Sequence, residues 1–258
     1  MKHEMTYLRP GSLAEAIAAF DEAQGKVGVL CGGAFDRSGL LDADVLIDIQ
    51  NISPTEVPEA GKLVFAPGES LVDLQQAMKQ YADFDRAAVA ETGLNVRNTL
   101  SLYNFLKTAD GRSSLLVALR AMTVNLQWQP GNQTVTLEEY LYNRQQDKPG
   151  FWNEMVIEAP EAFVFGSVAR TPLDKPIVAL AMTRLNKSEL RVVGGGSVSL
   201  PVSTELPANG EGGREWVRQA FEDLNDAWAS SAYRQDVAGV LYERLVEKLN
   251  LDKDRGAM

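Results

Sequence analysis

Apolar positions change their spacing several times along this chain, and each change marks an element. Leu13, Ala16, Ile17 and Phe20 recur at helical intervals behind Ser12-Leu13-Ala14-Glu15, a capping-box sequence, which predicts an amphipathic helix. Residues 27–31 and 45–49 are instead continuous apolar runs of strand length, and Gly32-Gly33 interrupts the first. Pro54 and Pro58 punctuate a connection into a further strand at 62–66, and Leu71, Leu74, Met78 and Tyr81 then predict a helix over 70–81. Periodicity is weak over 86–108. Residues 113–121 suit a short helix, and at 122–128 Val124, Leu126 and Trp128 alternate with Thr123, Asn125 and Gln127, as in a strand with one buried face.

Pro130-Gly131-Asn132 reads as a turn, and Thr136-Leu137-Glu138-Glu139 as a second capping box opening a short helix. Pro149-Gly150 breaks the chain, and the stretch around Pro160 resembles a linker. Residues 177–184 and 190–193 flank Asn186-Lys187-Ser188 as a hairpin, with 197–203 as a third strand. Two amphipathic helices close the chain after the glycine-rich loop 209–213, the last with Val237, Val240, Leu241, Leu245 and Leu249 on one stripe. Strands precede helices here, so the expected class is α+β. The expected division is 1–160, with subdomains near 1–53 and 54–160, and 161–258.

Composition narrows the chemistry. The 258 residues carry 25 basic and 35 acidic side chains, a formal net charge of −10, with one cysteine and one histidine. Cys31 alone supports neither an internal disulfide nor a cysteine-held metal centre, and His3 alone leaves little room for a histidine triad or a histidine metal site. No catalytic residue and no metal are expected in this chain. An acidic surface repels phosphate backbones, so nucleic acid is not an expected partner. No 18 apolar residues run together and the opening lacks a signal-peptide stretch; a cytoplasmic protein without a membrane span is expected.

Gly32-Gly33 after a buried strand is the most informative local feature, because residues without a Cβ let backbone N–H groups close on a phosphate. Alone, paired glycines are more often an ordinary chain reversal. The triple Gly194-Gly195-Gly196 follows a strand, where a bulge or wide turn is the better reading. Asp36, Asp42, Asp44 and Asp110 sit near turns, where aspartate commonly bonds local backbone.

The order of motifs resembles the flavoprotein (medium) subunit of molybdenum hydroxylases, the carbon monoxide dehydrogenase and xanthine dehydrogenase family. Tyr7-Leu8-Arg9-Pro10-Gly11-Ser12-Leu13-Ala14-Glu15-Ala16 is similar to that family's Y-x-R-P-x-S-L-x-E-A, and Leu30-Cys31-Gly32-Gly33 stands where L-A-G-G opens its first FAD loop. Val45 to Ile49 resembles the following strand, Asn95-Val96-Arg97-Asn98 the Q-I-R-N element, residues 190–201 a stretch of the R-I-A-L-G-G-V-x-P kind, and Ala232-Tyr233-Arg234 the terminal A-E-Y-R-R helix.

The resemblance implies a two-subdomain FAD-binding part of the vanillyl-alcohol-oxidase (PCMH) type, then a CO-dehydrogenase-flavoprotein-like domain of a small antiparallel sheet plus helices. It implies an oxidoreductase subunit that moves electrons through FAD between the iron-sulfur clusters of a small subunit and an acceptor, beside a molybdopterin-binding large subunit; self-association is left open. Carried onto this chain, the cofactor-binding positions are Cys31, Gly32, Gly33, Ala34, Phe35, Asp36, Ser101, Asn104, Asp110 and Arg170.

The chain also departs from the pattern. Ser101-Leu102-Tyr103-Asn104-Phe105 stands where the second FAD loop reads T-I-G-G-N, and Phe165-Gly166-Ser167-Val168-Ala169-Arg170 replaces Y-x-K-x-x-R, leaving Arg170 as its cation. Two readings follow: a flavin-bearing electron-transfer subunit, or a flavin-free scaffold that keeps the fold and docking surfaces.

Overall fold

The computed structural model describes residues 5–32, 42–55, 59–144, 150–172, 174–197 and 199–255, the last five as helical backbone. In chain order the elements are β1 (Thr6–Leu8), α1 (Leu13–Glu22), β2 (Val27–Leu30), β3 (Val45–Asp48), β4 (Lys62–Phe65), α2 (Leu71–Ala77), α3 (Ala82–Glu91), α4 (Leu94–Thr99), α5 (Leu102–Thr108) and α6 (Ser114–Ala121). There follow β5 (Thr123–Gln129), β6 (Gln133–Thr136), α7 (Leu137–Asn143), β7 (Phe151–Glu158), β8 (Ala162–Val168), β9 (Val178–Arg184), β10 (Glu189–Gly195), β11 (Val202–Pro207), α8 (Gly213–Ala220) and α9 (Ser231–Arg255). Contacts divide the chain into two units, residues 1–74, 95–108 and 124–158 in one and residues 75–94, 109–123 and 159–258 in the other. The expected boundary at 160 falls beside Ala159, where the last segment of the second unit begins.

The first unit holds two sheets. β1, β3 and β2 run parallel in the order β1-β3-β2, with Val45 facing both Thr6 and Val27. Parallel pairing needs a crossover, and α1 supplies it between β1 and β2. Ser12 Oγ accepts from the Glu15 amide, while the Glu15 carboxylate reaches back to the Gly11 N–H rather than to Ser12 itself. The second sheet, ordered β4-β7-β5-β6, is built from antiparallel pairs such as Lys62 with Glu158 and Asn125 with Thr136. Thr136 and Glu139 complete a reciprocal capping box at α7, as the pattern predicts.

In the second unit β8, β9, β10 and β11 form an antiparallel sheet with helices on both faces. Even-numbered Val164, Val178, Leu180 and Met182 pack with Val217 of α8 and Tyr242 and Leu245 of α9. Odd-numbered Phe163 turns to the other face, its ring 6.1 Å from that of Phe84 in α3. Burial on both sides explains why β9 reads as a near-continuous apolar run rather than an alternation.

Several boundaries differ from the pattern. The predicted helix over 70–81 ends at Ala77, α3 starts at Ala82, and the unassigned 86–108 holds most of α3 together with α4 and α5. The third strand of the C-terminal sheet is Val202–Pro207 rather than 197–203. Glycine is required at Gly195 and Gly196 for close approach: a Cβ on Gly195 would meet Val117 and the Gly111 carbonyl, and one on Gly196, at φ +136°, would strike the Ile177 carbonyl. Here the glycines fit sheet to helix rather than forming a ligand cradle.

Candidate functional site

β2 delivers Cys31 and Gly32 to the end of the parallel sheet, where the Ile49 amide bonds the Leu30 carbonyl. Gly32 sits at φ +71°, the left-handed region that favours glycine. A Cβ there would meet the Gln50 side chain, 3.6 Å away. Gly33, Ala34, Phe35 and Asp36 lie outside the described residues.

The structure brings Ser101 and Asn104 directly onto Cys31. Ser101 Oγ and Asn104 Nδ2 both donate to the Cys31 carbonyl, at 2.8 and 2.7 Å. Ser101 Oγ also accepts from the Asn104 amide at 3.3 Å, capping the first turn of α5. The other leading amides of this helix are engaged too: Leu102 N–H bonds the Glu69 carbonyl at 2.7 Å, Tyr103 N–H the Pro67 carbonyl at 3.0 Å, and Phe105 N–H the Ser101 carbonyl at 2.9 Å. Gly68 permits this by letting the 67–69 turn lie against the Gln50 backbone. Leu102 is fully buried, and the Tyr103 ring stacks 5.5 Å from that of Trp152.

A phosphate-binding turn presents free N–H groups to an anion. This turn does the opposite, spending its amides on carbonyl oxygens and filling the adjoining space with side chains. The described part of the turn does not fit a dinucleotide's pyrophosphate. The Cys31 thiol is fully buried and pushed up to about 12 by that burial, so it stays protonated and non-nucleophilic.

Asp110 and Arg170 belong to the second unit. Asp110 accepts from the Arg112 amide at 2.9 Å and from its guanidinium at 2.7 Å, raising the Arg112 pKa through that side-chain bond. Arg170 pairs with Asp174 at 3.5 Å, and its guanidinium lies 4.7 Å from the Trp228 ring centroid, with that of Arg112 at 5.7 Å. Trp228 is the residue that sequence reasoning missed; no spacing links it to either arginine. Arg234, from the Ala232-Tyr233-Arg234 motif, is fully buried, donates to the Ile177 and Gly196 carbonyls and pairs with Asp226 at 2.7 Å, so that motif residue is a structural pin. Among the described residues no group of three or more His, Cys, Asp or Glu is placed to hold a metal ion, and no helix is long and apolar enough to cross a membrane.

This fold, with the glycine turn after a parallel strand and the helix-covered antiparallel sheet, is that of chains from molybdenum hydroxylases. Quinoline 2-oxidoreductase from Pseudomonas putida 86 superposes with a TM-score of 0.70 at 16% identity, covering 95% of this chain and 96% of that one. Carbon monoxide dehydrogenase from Hydrogenophaga pseudoflava, in a form lacking the Mo-pyranopterin moiety, gives 0.69 at 17% identity, over 95% and 97%. Reconstituted CO dehydrogenase from Oligotropha carboxidovorans gives 0.69 at 15%, over 95% and 97%. No protein-family model and no curated protein sequence matches the chain.

Proposed function

We propose that this chain is a flavin-free relative of the molybdenum hydroxylase medium subunit, a structural component that holds its partner chains without passing electrons itself. One observation carries the reading: the leading amides of α5 and the side chains of Ser101 and Asn104 are bonded to Glu69, Pro67, Ser101 and Cys31 oxygens. Flavin binding would require breaking several of these bonds in a buried turn, and a net charge of −10 supplies no compensating field for an anionic cofactor. The partners that fit this reading are a molybdopterin-binding large subunit and an iron-sulfur small subunit.

A second reading has its own support. Gly32 keeps the left-handed backbone expected where a phosphate approaches main chain, with no Cβ of its own beside the Gln50 side chain. In that reading the chain holds FAD against the Gly32 side of the cleft and relays electrons between iron-sulfur clusters and an acceptor. Acid extraction of the chain purified with its co-purifying partners separates the two. Absence of released FAD, with partner chains retained, is the expected result. Stoichiometric FAD overturns the flavin-free assignment.

A further inference from the structure

The first unit contains a cavity of about 140 Å³ on the far side of Tyr103, and neither reading above uses it. Its aromatic walls are Trp128 and Tyr140, with ring centroids 6.3 Å apart and planes inclined at 47°. Tyr103 lines it as well, 7% exposed, and among the described residues its hydroxyl has no hydrogen-bond partner. One turn along α5, the half-buried Lys107 brings an ammonium to the lining, and no described carboxylate pairs with it.

Two other charges face the cavity. Arg144 donates through Nη1 to the Leu106 carbonyl at 2.5 Å, and Glu139 accepts from Thr136 at 2.9 Å in its capping box. The lining is thus net cationic within a chain of charge −10, and its acid is already committed. The volume is close to that of the roughly 150 Å³ cavity known to admit one benzene ring. A dinucleotide is far too large for it, and a bare inorganic anion would leave the aromatic walls unfilled.

We infer that this cavity binds a single-ring aromatic carboxylate, its ring against Trp128 and Tyr140 and its carboxylate taking charge-assisted hydrogen bonds from Lys107 and the Tyr103 hydroxyl. Burial keeps the Tyr103 phenol protonated, and hence a donor, across the neutral range. The site stands apart from the flavin question, because it is lined by other residues than Cys31, Gly32 and Ser101.

The test is titration of the full chain with benzoate, followed by tryptophan fluorescence and calorimetry, with benzamide as the neutral isostere and acetate as the charge without a ring. Saturable one-to-one binding of benzoate is expected, with both controls weaker by about tenfold or more. Lys107→Met lowers benzoate affinity about tenfold while leaving benzamide unchanged, and Tyr103→Phe lowers it about threefold at unchanged circular dichroism. Lys107→Gln serves if the methionine variant does not fold. Benzoate binding no tighter than acetate, or unchanged affinity in both folded variants, overturns the assignment.

Discussion

The closure of the second turn onto Cys31 makes a quantitative prediction through Ser101→Ala, Asn104→Ala and the double variant. Each single change removes one of two donors to the same carbonyl, so that oxygen keeps a partner. Ser101→Ala also removes the cap on the Asn104 amide, and the two losses together cost about 1–2 kcal/mol. Asn104→Ala costs about the same, from one hydrogen bond and a small packing defect. Among the described residues these are the donors to the buried carbonyl, so the double variant removes both, and its unmet desolvation adds about 1–3 kcal/mol beyond the sum of the singles. Urea denaturation of the four proteins at constant slope measures the coupling. Additivity within about 0.5 kcal/mol would mean that the carbonyl is not sealed by these two side chains, and the case against a phosphate site would lose its main support.

Three further outcomes follow from the packing. Cys31, Tyr140 and Tyr242 are each pushed up to about 12 by burial, against ordinary values of 9.0 and 10.0, so the folded chain holds protons that the unfolded chain releases. Their contribution is complete below pH 9 and erodes as pH climbs from about 9 toward 12, which urea midpoints taken at successively alkaline pH will show. Asp83, 2% exposed, accepts from the Phe165 amide and pairs with Lys248 and Arg86; Asp83→Ala should cost about 3 kcal/mol, whereas Lys248→Met costs under about 1 because Arg86 remains, both read from denaturation midpoints. Gly196→Ala should destabilise by more than about 3 kcal/mol through its collision with the Ile177 carbonyl, while Gly61→Ala, at φ +82° with open space, loses about 1 from backbone strain alone; equal losses in thermal melts refute the steric account.

Much of the fold was legible because its signals are local. The α7 capping box, the turn at Pro130-Gly131-Asn132 and the β9–β10 hairpin each depend on residues a few positions apart. The strand β7 was not, since Asn153 and Glu154 place two polar residues inside a fully buried run, and their burial is decided by partners far away, such as Gln129 and Thr55. Helix α5 escaped for a related reason: all five of its residues from Leu102 to Leu106 are buried, so no polar face marks its period. At the site, the missing glycines at 102–104 were visible in the sequence, but the direction of the Ser101 and Asn104 hydrogen bonds was not. Nothing in the spacing of Cys31 and Asn104 forecasts that a side-chain amide reaches across 73 positions to close on one carbonyl.

In the flavin-free reading, the same bonds would let the architecture stand without a cofactor. An anion at a helix start is useful because it satisfies amides that would otherwise be orphaned. Here the Pro67 and Glu69 carbonyls satisfy them, and no charge has to be brought into an acidic protein. The buried Leu102 and Tyr103 side chains occupy the adjoining space, and burying each contributes about 2 kcal/mol of apolar transfer, so the turn is stable without a ligand. Stability of this kind is also a barrier. A flavin would have to displace packed side chains and break satisfied hydrogen bonds before gaining any contact of its own. The parallel sheet and the helix-covered antiparallel sheet draw on separate packing, at Ile47 and Ile49 in one unit and at Val178 and Phe221 in the other. In the proposed flavin-free reading, closing the turn therefore leaves the packing of the rest of the fold untouched.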